Sequence, residues 1–268
     1  MHISTCLTTS FSLSIVDFLL LILCLSAVLF YGYGIYAAIA FFRYPYPVNS
    51  SFHPPITVLK PICGLDGDAY KNLAFCCQQN YPNYQIIFSV RDPLDSGIAV
   101  VKQIIQDFPK VDIQLVVSDR TIGTNAKVSN LANAITKAKH EILVIADSDI
   151  RVRIDYLQRA VQPLQEPSVG VVTCLYRSIA SGWVSTLEAV RIASDFHAGV
   201  FICNQIDGIK FAFGSTIVIR KQVLDVIGGF GAIADYLADD FQLGYLSARG
   251  LYPIISGHLV LRRLWQHN

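Results

Sequence analysis

The sequence predicts an α/β domain with a mostly parallel central sheet, preceded by one apolar helix long enough to cross a membrane. Three observations predict it. Between residues 56 and 146, apolar runs of strand length alternate with amphipathic stretches. That β-α-β-α-β-α-β order is the signature of parallel strands joined by crossover helices. Residues 18–42 contain no charged side chain. The apolar run 142–146 breaks off into Asp147-Ser148-Asp149, at the strand end where open α/β sheets bind ligands.

The membrane element comes first. Residues 1–17 are a short segment in which Ser and Thr are prominent. Residues 18–42 are 25 positions rich in Leu, Ile, Val, Ala, Phe and Tyr. A helix of that length is ~37 Å long, and a hydrocarbon core is ~30 Å thick. A cleaved signal peptide has a basic start and a short apolar core. No Lys or Arg precedes this long span, so a retained anchor is expected. Tyr31, Tyr33, Tyr36 and Tyr44 gather in its later half, as interfacial aromatics do. Arg43 and Lys60 follow it, whereas the N-terminal flank has only His2 and Asp17. The positive-inside bias therefore places everything after residue 43 in the cytoplasm. This one span explains a hydrophobic content of 53% and a mean hydropathy of +0.44.

Residues 43–55 read as a linker with four prolines. The domain, 56–268, opens with a strand over 56–61. A helix is predicted over 65–80, a turn at Tyr81-Pro82-Asn83, and a second strand over 85–90. Then come a helix over 98–108, a strand over 113–117, a helix over 125–139 and the strand that meets Asp147. Beyond Asp149 the pattern predicts a helix over 156–164, a strand over 169–174 and a long helix over 185–203. A strand-like stretch over 211–219 leads to a short helix over 221–227, stopped by Gly228-Gly229. A helix over 236–247 and a short strand at Ile254-Ile255 complete the reading.

Several function classes are excluded. A net charge of +1 gives no electrostatic case for nucleic acid. The seven cysteines are odd in number and lack C-x-x-C spacing, so they read as buried and reduced. The histidines show no metal spacing, and His197 reads as a hydrogen-bonded core residue. No Gly-x-Gly-x-x-Gly, Walker or Gly-x-Ser-x-Gly motif occurs, which argues against dinucleotide, P-loop and hydrolase-elbow chemistry.

The candidate chemistry rests on a few polar side chains. Asp147 and Asp149, two apart, point the same way while the chain stays extended. Together they offer hard oxygen ligands suited to Mg²⁺ or Mn²⁺, and such a metal could hold a diphosphate. The same pattern also arises by chance, with Asp149 capping the next segment. Asp92 ends another strand and could meet the pair in one crevice, though Asp before Pro is equally turn chemistry. Asp95 reads as a helix N-cap. Asp239-Asp240 either complement a helix dipole or supply a general base. Lys127 falls in the first turn of a helix, where a cation opposes the dipole. A phosphate or site aspartate would explain it, as would a solvated surface position.

Taken together, Val58-Leu59-Lys60-Pro61, Cys76-x-Gln78-x-x-Tyr81-Pro82, Val90-Arg91-Asp92-Pro93, Asn125-x-Lys127-Val128-x-Asn130-Leu131, Ala146-Asp147-Ser148-Asp149-Ile150-Arg151-Val152, Phe213-Gly214-Ser215 and Tyr236-Leu237-Ala238-Asp239-Asp240-Phe241 carry a resemblance. The chain resembles the membrane-anchored ceramide glucosyltransferase-like enzymes of glycosyltransferase family 21, which include bacterial enzymes acting on hopanoid lipids. The resemblance implies a GT-A nucleotide-sugar fold and inverting transfer of glucose or N-acetylglucosamine from a UDP-sugar to a lipid hydroxyl. It implies that Asp92 contacts the uridine and that Lys127 belongs to the nucleotide site. Asp147 and Asp149 would bind the sugar diphosphate and a divalent cation, Mg²⁺ or Mn²⁺, and Asp240 would be the catalytic base. Asp239 stands where the family usually has glutamate. The partners implied are a UDP-sugar, a lipid acceptor and the membrane. Leu264-Trp265-Gln266-His267-Asn268 resembles the approach to a Gln/Arg-x-x-Arg-Trp motif that precedes further membrane helices, so a shortened C-terminus is expected. A processive polysaccharide synthase, a polyprenyl-phosphate sugar transferase and an inactive nucleotide-sugar-binding remnant are the alternatives on the same fold.

Overall fold

The computed structural model describes residues 14–43, 47–64, 68–180, 182–250 and 254–256. Residues 1–13, Tyr44 and Leu264 to Asn268, all used in the sequence reading, lie outside them. In chain order the elements are α1 (Ile15–Arg43), β1 (Ile56–Ile62), α2 (Ala69–Cys77), β2 (Tyr84–Val90), α3 (Gly97–Asp107), β3 (Asp112–Val117), α4 (Ala126–Ala134) and β4 (Ile142–Ala146). They continue with α5 (Tyr156–Ala160), β5 (Val171–Thr173), α6 (Trp183–Arg191), a π turn (Ile192–Phe196), α7 (His197–Asp207), β6 (Thr216–Arg220), α8 (Lys221–Val226), α9 (Asp239–Arg249) and β7 (Ile254–Ser256).

The strands form one sheet in the order β3-β2-β1-β4-β6-β5-β7. The first four of these are mutually parallel. β6 is antiparallel to both β4 and β5, and β7 is parallel to β5. The chain steps outward from β1 to β3, then returns to lay β4 on the other side of β1. That reversal opens a crevice beyond the carboxyl ends of β1 and β4.

Helices cover both faces, so the central strands are mostly apolar, with Thr57, Lys60, Gln85 and Ser89 as buried polar exceptions on β1 and β2. Side chains alternate between two cores. Val58, Phe88, Val144 and Val218 face one, with Leu73, Val101 and Tyr156. Leu59, Ile87, Leu143 and Ile217 face the other, with Leu131 and Leu224. The second core also contains Ala37 and Phe41 of α1. The apolar helix is therefore docked on the domain through its last third, where it packs against α7, with Phe41 and Phe42 both against Phe201.

Some sequence expectations change. The stretch 211–215 is not strand; β6 starts at Thr216. Residues 236–238 precede α9 as loop. The long helix extends to 183–207 and is broken by the π turn. The described cysteines are free, but Cys24, Cys63 and Cys203 are exposed instead of buried. Cys24 lies on the bare part of α1, and Cys63 follows the carboxyl end of β1. His197 is half-buried, with its Nε2 lacking a partner among the described residues.

Candidate active site

Asp147 is the first residue past β4, and its amide donates to Ser215 O (3.4 Å) across the β4–β6 pair. The chain then turns, so Asp149 reaches the same crevice through a bend and not by strand alternation. Beside it, Lys60 on β1 is fully buried and donates from Nζ to the Asp147 carbonyl (2.5 Å). A buried cation thus holds the strand end from below.

Lys127 approaches from above. Asn125 caps α4, its side chain accepting from Val128 N (3.2 Å). Lys127, in the first turn, places Nζ 2.8 Å from Asp147 Oδ1 and 3.7 Å from Asp239 Oδ2. Burial pulls the Lys127 pKa down, but Asp147, Asp239 and Asp240 outweigh it, and the net shift is upward. The Asp239 pKa is also raised, by burial first and by Asp240, against the opposing pull of Lys127.

The start of α9 is clamped to the start of α4. Thr124 N donates to Asp235 Oδ1 (2.8 Å), Asn125 N to Ala234 O (2.8 Å), and Asn125 Nδ2 to Tyr236 O (2.8 Å). Gly123 permits this approach, since a Cβ on it would lie 2.5 Å from that of Ala234. Gly244 in α9 lets the backbone of 211–212 come close in the same way, since its Cβ would lie 2.2 Å from Ala212 N.

Asp240 faces Asp147 across Gly214. A Cβ at Gly214 would sit 2.9 Å from Asp240 Oδ2 and 3.6 Å from Asp147 Oδ2. Asp240 Oδ1 accepts from Phe241 N (2.8 Å), which leaves Oδ2 directed at this notch.

Two cavities meet here. One, of about 720 Å³, is lined by Arg91, Asp92, Lys127, Asn130, Asp147 and Asp149, among others. Asn130 Oδ1 on its wall is buried without a partner among the described residues. The second, of about 920 Å³, is lined by Asp147, Asp149, Tyr176, Phe213, Gly214 and Asp240, among others. Asp147 and Asp149 belong to both. Burial, followed by Asp240, Asp147 and Asp149, raises the Tyr176 pKa.

All five candidate residues therefore line one crevice system. Asp92 is exposed at its far end, and its Oδ1 accepts from Leu94 N (2.8 Å) as a turn residue does. Asp95 is one residue before the N-cap Ser96, yet its carboxylate accepts from Gly97 N and Gly64 N, both at 2.7 Å. Sequence reasoning missed Lys60, Asn125, Gly214 and Tyr176 as parts of the site. Lys60 carried the one usable signal, a charge inside an otherwise apolar buried strand.

The donor chemistry suits a divalent cation. Among the described residues no group of three or more His, Cys, Asp or Glu is assembled. Two neighbouring carboxylates facing a cavity of about 720 Å³ are what a Mg²⁺ or Mn²⁺ ion uses when substrate phosphates and water complete its shell.

The chain is 27% identical to ceramide glucosyltransferase 3 of Caenorhabditis elegans over 212 residues, 78% of this chain and 46% of that protein. It is 27% identical to ceramide glucosyltransferase 1 of the same organism over 232 residues, 84% of this chain and 50% of that protein. It thus spans about half the length of these relatives. Among solved structures, the mannosyltransferase PcManGT from Pyrobaculum calidifontis, in complex with GDP-Man and Mn²⁺, superposes with a TM-score of 0.64 at 21% identity, covering 88% of this chain and 65% of that one. The fold is the GT-A fold, a mostly parallel sheet flanked by helices. Residues 19–266 match the family described as Glycosyl transferase family 21, and the chain belongs to that family.

Proposed function

We propose that this chain is the catalytic part of a membrane-bound inverting glycosyltransferase. It transfers glucose or N-acetylglucosamine from a UDP-sugar to the hydroxyl of a ceramide- or hopanoid-like lipid. The observation that carries the reading is the pair of cavities sharing Asp147 and Asp149. One cavity runs from this pair to Asp92; the other runs to Asp240.

In this reading Asp92 contacts the uridine, and Lys127 sits in the nucleotide site with its charge toward the diphosphate. Asn130 Oδ1 offers an acceptor on the same wall. Asp147 and Asp149 would hold the divalent cation, which when bound neutralises charge growing on the departing diphosphate. The acceptor hydroxyl occupies the second cavity and attacks C1 of the sugar from the face opposite the diphosphate. Asp240 Oδ2 takes the hydroxyl proton as the new C–O bond forms and the C1–diphosphate bond breaks. The aromatic wall of Phe211, Phe213 and Phe241 excludes water and suits an apolar acceptor. The ceramide glucosyltransferase relatives support this reading, as do the GDP-Man and Mn²⁺ held by the similarly folded PcManGT.

The apolar span 18–42 anchors the chain, its bare part before Gly34 crossing the membrane and its last third docked on the domain; 43–55 lead on from it, and 56–268 form the catalytic domain facing the cytoplasm. α1 is 29 residues long and apolar enough for this role. The test is a transfer assay with radiolabelled UDP-glucose and UDP-N-acetylglucosamine, with ceramide or hopanoid acceptors in detergent, with and without Mg²⁺ or Mn²⁺. A metal-dependent lipid-linked product is expected. A soluble polymer, or UDP binding without turnover, would overturn the reading.

A further inference from the structure

α6 is a helix that the protein does not cover. None of its nine residues is buried. Trp183 is 76% exposed, Val184 60%, Leu187 61% and Val190 57%. At positions i, i+1, i+4 and i+7 these four lie on one face. A nine-residue helix with no buried face gains little from its own hydrogen bonds in water, and its exposed apolar face calls for a non-aqueous partner.

α1 shows what that partner is. The first buried residue of α1 is Gly34. Residues 15–33, before it, would span ~28 Å, close to the ~30 Å of a hydrocarbon core. The bilayer surface then falls near Tyr31 and Tyr33. Tyr31 OH donates to Asp195 Oδ1 (2.8 Å) in the π turn. Next, the Gly34 backbone lies against Ala198, whose Cβ is 3.3 Å from where a glycine Cβ would stand. The contacts climb both helices together, so α1 and α7 run the same way. The chain before Asp195, which is α6, therefore heads back toward the bilayer. Arg191 ends the helix within its apolar face and Glu188 borders that face, and an arginine there can reach headgroups along its alkyl stem.

We propose that α6 lies in the membrane interface, with Trp183, Val184, Leu187 and Val190 immersed in lipid. This rests on the reading of α1 as a membrane-crossing helix, and the experiment separates the two. The chain holds two tryptophans, Trp183 and Trp265. Full-length Trp265→Phe, reconstituted in phosphatidylcholine vesicles, reports on Trp183 alone. A second protein, Trp183→Phe/Trp265→Phe/Leu23→Trp, reports on α1. With lipids brominated near the headgroup end of the chains, Trp183 emission is expected to fall, and aqueous acrylamide is expected to quench it weakly; with lipids brominated near the chain ends, the emission of the Leu23→Trp protein is expected to fall. Adding Leu187→Asp to the Trp265→Phe protein should restore acrylamide quenching, and since α6 has no buried residue the fold should tolerate it. Quenching of Leu23→Trp without quenching of Trp183 would overturn the proposal while leaving α1 in the membrane. Quenching of neither overturns both. Shielding of Trp183 from bromine and acrylamide alike, growing with protein-to-lipid ratio, would mean that another protein copy covers α6, and would also overturn it.

Discussion

Lys127 Nζ lies 2.8 Å from Asp147 Oδ1, and this ion pair joins the first turn of α4 to the end of β4. Each group is about one-third exposed or less. Lys127→Met leaves Asp147 and Asp239 without their shared cation and should cost about 1–3 kcal/mol of folding stability. Donor affinity should fall as well. Urea unfolding in detergent and UDP titration check the two effects separately. The Lys127 pKa is raised in the fold, so its contribution is fully present below about pH 10.4 and is lost as pH climbs through the raised value.

Asp239 has the opposite consequence for stability. Its folded pKa is raised, so the folded state holds that proton more tightly than the unfolded chain does. The resulting stability is present below about pH 3.9 and is lost as pH rises through the raised value. Asp239→Asn should flatten the fall in melting temperature above about pH 4. A slope equal to that of the wild type would assign the effect to another group.

Asp240→Asn should lower transfer by about 10²–10⁴-fold and keep UDP-sugar affinity within a few-fold. Equal loss of binding and turnover would reject Asp240 as the base.

Gly214→Ala introduces a methyl group 2.9 Å from Asp240 Oδ2. Asp240 must move, and a shift of about 1 Å in a reacting group costs about 10²-fold in rate. Unchanged turnover in Gly214→Ala would show that the two carboxylates do not act across this notch.

Gly244→Ala should act on stability instead. Its Cβ would stand 2.2 Å from Ala212 N, against rigid backbone. Overpacking of this kind costs about 1–3 kcal/mol. Differential scanning fluorimetry would show a lower melting temperature.

The parallel half of the sheet was legible because its strands are continuous apolar runs bounded by turns. The strand-end carboxylates Asp92 and Asp147 followed from that, since topology alone decides which ends share a crevice. The illegible parts depended on contacts distant in sequence. Lys60 looked like an isolated charge until β1 and β4 lay side by side. Gly214 gave no sign that two carboxylates would converge on it. The run 211–215 is apolar enough for a strand, yet it is pulled out of the sheet and packed under Gly244. Leu237, 97% exposed, belongs to the loop before α9 and not to the predicted helix. Periodicity also treated 185–203 as one helix; it could not show that its first half would be left bare.

The burial of Ala37 and Phe41 bears on how the protein is handled. A soluble version cut after Arg43 would lose two plugs, Ala37 and Phe41, from the second core and uncover the α7 surface around Phe201. Such a fragment should aggregate even though it retains every residue of the crevice. A cut near Tyr31, which keeps the docked turns and discards the bare shaft, is the better starting point for crystallisation.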